Sequence, residues 1–214
     1  MIKSVILHPT YFSTLVQLAA LVQFEGKVVW EVCDNFQKQT YRNRTFIVTD
    51  KGKLLLSVPI QHQGEGRRLT KSVVSDPSER WNELHWKSIV TAYRSSPFFE
   101  FYEAELQPLF SKSEVNLLDH CILTCEFLCT ALGISHSVMR TLSFQKHYSD
   151  DEIIDLRAVV NAKESVAVHY PTYPQVFDAT QPFCEGASAL DLLFNLGPKE
   201  TRTYLEALDI SSLF

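Results

Sequence analysis

The chain opens on an apolar run, Ile2 to Leu7, that stops at His8-Pro9 and reads as a buried strand. Leu15, Leu18, Ala19 and Val22 then recur at three- and four-residue intervals, which predicts a helix within Tyr11 to Gln23, stopped by Glu25-Gly26. Val28 to Cys33 is a second apolar run. Strand, helix and strand in about 33 residues have the size of a parallel βαβ unit with a right-handed crossover. Both strands of such a unit end at the same edge of the sheet, so the residues after Leu7 and after Cys33 are expected to meet there.

Further along, Thr45 to Ile60 has the pattern of a hairpin turning at Asp50-Lys51-Gly52-Lys53, where Gly52 can take a positive φ. Pro59 marks an edge or an exit. Gln61 to Arg68 is polar and reads as a loop, and Leu69 to Ser75 as a short strand. Asp76-Pro77-Ser78-Glu79 combines an N-cap Asp, a Pro at the first helical position and a Glu two places later, and predicts a helix to Arg94. Ser96-Pro97 starts a second helix, and Ser111-Lys112-Ser113-Glu114 has the spacing of a capping box for a third, ended by Gly133. Val138 to Phe144 and Val166 to Tyr170 are candidate strands, and Asp150 to Ala158 a short helical segment. Ser188 is placed to cap a helix ending near Asn195, before Gly197-Pro198, and Thr201 to Leu208 is a final helix. No linker, repeat or low-complexity segment interrupts this order. The expectation is one α/β domain over residues 1–214, an open mixed sheet with an N-terminal βαβ unit, flanked by a helical C-terminal half.

Composition narrows the function classes. The chain is 45% hydrophobic and 12% aromatic, enough for a packed core, and carries a net charge of −5. That balance argues against nucleic acid as a partner, which needs a broad basic face. No apolar run approaches the ~18 to 20 residues of a membrane span, and the N-terminus lacks the features of a signal peptide, so a soluble, cytoplasmic protein is expected. Cys121, Cys125 and Cys129 recur every four residues along an apolar stripe. They read as small buried hydrophobes rather than metal ligands, and neither a metal nor a cofactor is expected. The glycine-rich, zinc-binding and nucleophile-elbow motifs of dinucleotide enzymes, P-loop ATPases, zincins and α/β-hydrolases are absent.

The residues from Asp34 to Arg44 carry the densest candidate chemistry. Asn35, Gln39 and Asn43 offer amide donors and acceptors, and Arg42 and Arg44 offer guanidinium forks suited to phosphate or carboxylate. On an extended segment Arg42 and Arg44 point to one face and make a diphosphate clamp; alternatively they pair with nearby acids. His8 either serves as an acid or base or caps its strand. Asp34 either orients His8 or a substrate hydroxyl or amine, or closes a turn on its own loop. Tyr11 and Tyr173 are further candidate contacts, Tyr173 from a Pro-rich segment that crosses the surface or closes a pocket.

Together these segments resemble the WbqC-like family. The resemblance lies in His8-Pro9-Thr10-Tyr11-Phe12, Asp34-Asn35-Phe36-Gln37 through Tyr41-Arg42-Asn43-Arg44, Leu56-Ser57-Val58-Pro59 and His85-Trp86-Lys87-Ser88-Ile89 with Ala92-Tyr93 and Pro97-Phe98-Phe99. Tyr173-Pro174-Gln175-Val176-Phe177 and Leu190-Asp191-Leu192-Leu193-Phe194-Asn195 extend it. The chain departs from the family in lacking the glycine that usually follows the first aromatic. The resemblance implies surface-polysaccharide metabolism of the O-antigen type. The expected activity is acyl or aminoacyl transfer to a nucleotide-linked amino sugar, with His8 and Asp34 catalytic and Tyr11, Asn35, Gln39, Arg42, Asn43, Arg44 and Tyr173 binding substrate. A non-catalytic binding module and an ATP-dependent ligase are the alternatives.

Overall fold

The computed structural model describes residues 4–62, 66–135, 139–148, 153–163 and 167–214. β1 (Ser4–Leu7), α1 (Leu15–Gln23) and β2 (Val28–Trp30) form the expected unit, with Val5 opposite Val28 and Leu7 opposite Trp30 in parallel register. α1 is apolar on almost every side, and every residue from Leu15 to Val22 is buried within the one apolar cluster, where it packs against a second long helix. It starts at Thr14, whose hydroxyl accepts the Gln17 N–H. The turn into it passes through Phe12 at φ 48°, an uncommon conformation for a bulky side chain, held by burial against Phe110 and Tyr11.

β3 (Arg44–Thr49) and β4 (Gly52–Ser57) form the expected antiparallel hairpin, with Gly52 at φ 92°. It stands as a separate two-stranded sheet. β5 (Met139–Arg140) and β6 (Ile153–Asp155) complete the main sheet, whose order is β5-β2-β1-β6 with every described pairing parallel. The β6 segment corrects the helical reading of Asp150 to Ala158, of which 150–152 lie outside the described residues. Ile153 and Ile154 pair with Ser4 and Val5, a stronger constraint than local spacing, and a short 3₁₀ turn follows at Arg157–Val160. The expected strand Val138 to Phe144 shrinks to β5, with Val138 outside the described residues. Of Val166 to Tyr170, the first residue lies outside them too, and 167–170 form no strand. The expected strand Leu69 to Ser75 is a 3₁₀ turn over Thr70–Ser72 flanked by isolated bridges, because the Thr70, Ser72 and Val73 amides bond to the carbonyls of Asp34, Leu69 and Thr70 instead of a neighbouring strand.

The helices are α2 (Trp81–Tyr93), α3 (Phe99–Leu106), α4 (Leu117–Ala131) and α5 (Ala189–Ala207). Asp76 caps only a 3₁₀ turn, Pro77–Glu79, and Arg80 at φ 46° separates it from α2. The Ser111 to Glu114 spacing is passed over as a cap: Asn116 accepts the Asp119 N–H and starts α4, which ends before Gly133 at φ 62°. α5 is two helices joined at Gly197, where φ is 75° and a Cβ would lie 2.6 Å from the Phe98 ring. One apolar cluster runs through the sheet and α1 to α5. No described helix is long and apolar enough to cross a membrane.

Candidate functional site

The chain leaves β1 for β2 and later reaches β6 on the other flank of β1, so strand order reverses beside β1. Ligands of open α/β sheets bind outside the carboxyl ends of the strands at such a reversal. A cleft of about 840 Å³ opens there. Each strand feeds it: His8 follows β1, Asp34 to Gln37 follow β2, Phe144 and Lys146 follow β5, and Asp155, Arg157 and Ala158 end and follow β6. Arg42 and Arg67 come from the loops before and after the hairpin.

A buried polar network floors the cleft. Arg42 donates to Asp34 Oδ2 at 2.8 Å and to the Thr70 hydroxyl at 2.9 Å, and Thr70 donates to Asp34 Oδ1 at 2.7 Å. His8 Nε2 lies 3.1 Å from Arg42 and 3.8 Å from Asp34, and His8 Nδ1 lies 3.4 Å from the Glu31 carbonyl. A guanidinium only donates, so Nε2 carries the lone pair and Nδ1 the proton. Burial first, and the Arg42 charge second, hold the His8 pKa well below its usual value, leaving a neutral imidazole.

A second arginine builds the wall. Arg157 donates Nε and one terminal N–H to both oxygens of Asp155, at 2.8 and 2.6 Å. Its other N–H groups reach the Gln145 carbonyl at 2.7 Å, the Lys146 carbonyl at 3.1 Å and Glu31 Oε2 at 3.4 Å. Five contacts account for five donors, so Arg157 has no hydrogen bond left for a ligand. Asp155 is partly buried, which alone would raise its pKa. The Arg157 hydrogen bonds and charge outweigh that and hold the carboxyl below its usual range.

Of the residues expected at the site, His8, Asp34, Asn35 and Arg42 line the cleft, and Tyr11, Gln39, Asn43, Arg44 and Tyr173 do not. Tyr11 is fully buried, with its hydroxyl 2.9 Å from His85 Nδ1 and its ring stacked on His120. Asn43 donates to the Val58 carbonyl at 3.0 Å. Gln39 is an exposed turn residue at φ 64°. The Arg42–Arg44 clamp does not form, because 41–43 turn instead of extending and the alternation of faces is lost. Tyr173 is buried elsewhere and donates to Asp191 Oδ2 at 2.6 Å, beside Gln175 Nε2 at 2.8 Å. Glu31, Arg67, Thr70, Phe144, Lys146, Asp155 and Arg157 were not singled out by sequence. Glu31 alone offered a signal, as an acid inside an apolar strand run. Among the described residues no group of three or more His, Cys, Asp or Glu is arranged to hold a metal ion.

The WbqC-like protein family matches residues 21–169. The uncharacterized protein Rv1507c of Mycobacterium tuberculosis is 22% identical over 192 aligned residues, covering 76% of this chain and 80% of that protein. No solved structure gives a significant match. With most of its length covered by the family match, the chain belongs to the WbqC-like protein family.

Proposed function

We propose that the chain is an enzyme of surface-polysaccharide biosynthesis that holds a nucleotide-linked amino sugar in the cleft and transfers a small acyl or aminoacyl group to its amine. The observation that carries this reading is the uncharged His8, its lone pair on Nε2, with the Asp34 carboxylate 3.8 Å away at the carboxyl edge of the sheet. Acyl transfer joins the amine nitrogen to the acyl carbon, breaks the bond from that carbon to its carrier, and releases one proton from nitrogen. His8 takes that proton once Arg42 has yielded Nε2 to the substrate, and Asp34 offsets the charge. Asn35 positions a sugar hydroxyl. The cleft has room for such a ligand, since small-molecule sites run from about 300 to 1,000 Å³.

The test is mass spectrometry of nucleotide-linked amino sugars incubated with acyl-CoA or aminoacyl donors. Wild type should give an acylated product, and His8→Gln should lower the rate by about 10²-fold or more. No product from any pair, or an unchanged rate in His8→Gln, defeats the proposal. The Arg42 bond to His8 Nε2 favours a second reading, a non-catalytic module for a phosphorylated metabolite, because it covers the base. That reading predicts binding without product.

A further inference from the structure

The cleft contains four cationic side chains, and they divide sharply. Arg42 is 2% exposed and committed to Asp34, Thr70 and His8. Arg157 has every donor filled. Arg67 and Lys146 are different: both are exposed, both line the cleft, and neither is ion-paired to a described residue. The main chain at Lys146, and that next to Arg67, is nonetheless anchored. The Phe36 N–H bonds to the Arg68 carbonyl at 2.7 Å, next to Arg67, and the Lys146 carbonyl receives Arg157 at 3.1 Å. The carboxylates of the lining, Asp34 and Asp155, are already matched by Arg42 and Arg157, and Glu31 lies buried behind Arg157. With His8 neutral, the cleft keeps an excess of positive charge in a chain of net charge −5.

The cleft also presents an aromatic face. Phe144 is 51% exposed, and the Arg157 guanidinium lies 5.5 Å from its centroid, covering one side of the ring. An exposed phenyl ring inside a polar cleft is a platform for a flat ring. Asn35, Gln37 and Asn161 add amide groups to the cleft lining.

We infer that Arg67 and Lys146 hold the diphosphate of a diphosphate ester whose heterocycle stacks on Phe144. This rests on the cleft being the ligand site, as proposed above. Two sources carry that chemistry, a nucleoside-diphosphate sugar and a coenzyme A donor.

The experiment is isothermal titration of UDP, ADP, coenzyme A, inorganic pyrophosphate and uridine into wild type, Arg67→Ala, Lys146→Ala and Phe144→Ala, with acyl-transfer turnover measured in parallel. At least one diphosphate ester should bind wild type and lose about tenfold or more in affinity in each cation variant, the scale of a charge-assisted hydrogen bond. Phe144→Ala should weaken the same ester and leave pyrophosphate unchanged. Preference for UDP marks the sugar as the source, and preference for coenzyme A the donor. No diphosphate binding, or affinities unchanged in both cation variants, overturns the inference. Turnover intact in Arg67→Ala and Lys146→Ala also sinks it while leaving the transfer reading standing. Binding that depends on both cations without turnover retains it and removes the transfer reading.

Discussion

Among the described residues, two buried polar networks invite comparison, and both draw most of their members from the family-like segments. Under the cleft, Asp34 meets a full counter-charge in Arg42, and the pair is bounded by Thr70 and His8. Beneath the Pro-rich segment, Asp191 is 0% exposed in the first turn of α5 and, among the described residues, is met by the neutral donors Tyr173, Gln175 and Tyr93. The first lies at the carboxyl edge of the sheet and opens to a cleft. The second ties the 173–175 segment to α5. Shared motif membership therefore does not mean shared purpose: one acid belongs to a charged site, the other to a clasp between segments.

The sharpest way to break this comparison is to remove each acid. Asp34→Ala leaves the Arg42 guanidinium buried without its partner and should cost about 3–5 kcal/mol in urea denaturation. A loss below about 1 kcal/mol would show that Arg42 finds another partner. Acid should act next. His85 and His120 are buried imidazoles with pKa values lowered to about 4, by burial in each case and by mutual repulsion at His85. Each binds its proton more readily unfolded, so its contribution is complete above about pH 6.5 and is lost as pH falls towards 4. Between pH 7 and 5 stability should drop by about 2 kcal/mol per histidine, with a flatter profile in His120→Gln. Tyr173→Phe removes one donor to Asp191 and should cost about 1–2 kcal/mol. Asp191→Asn should have the smallest effect. Burial pushes the Asp191 carboxyl above its usual range against the hydrogen bonds from Tyr173, Gln175 and Tyr93. An acid with a raised folded pKa stabilises most below its unfolded value and loses that contribution as pH rises through the folded one. At pH 7 a neutral amide should change stability by less than about 1 kcal/mol, in either direction. A loss as large as that of Asp34→Ala would make the two networks equivalent.

The βαβ unit, the hairpin and the meeting of His8 with Asp34 were legible because local periodicity and connection length determine them. β6 was not. Ile153 and Ile154 have too little flanking pattern to announce a strand, and their assignment depends on Ser4 and Val5, some 150 residues earlier. The site divides in the same way. A charged loop after β2 was visible, but charge alone does not tell a ligand-facing arginine from a buried one. Arg42 is held by Thr70, 28 positions away, and Glu31 by Thr141 and Arg157, more than 100 positions away. Arg67 and Lys146 sit in unremarkable polar stretches and gain their shared setting only when the loops after β4 and β5 come together.

Arg157 grips the segment at Gln145 and Lys146 through main-chain carbonyls, which every amino acid supplies. The two side chains it anchors are thus free to be exchanged without loosening the grip. A wall fastened in this way is open to redesign: the side chain that position 146 presents to the cleft can be exchanged while the scaffold beneath stays as it is.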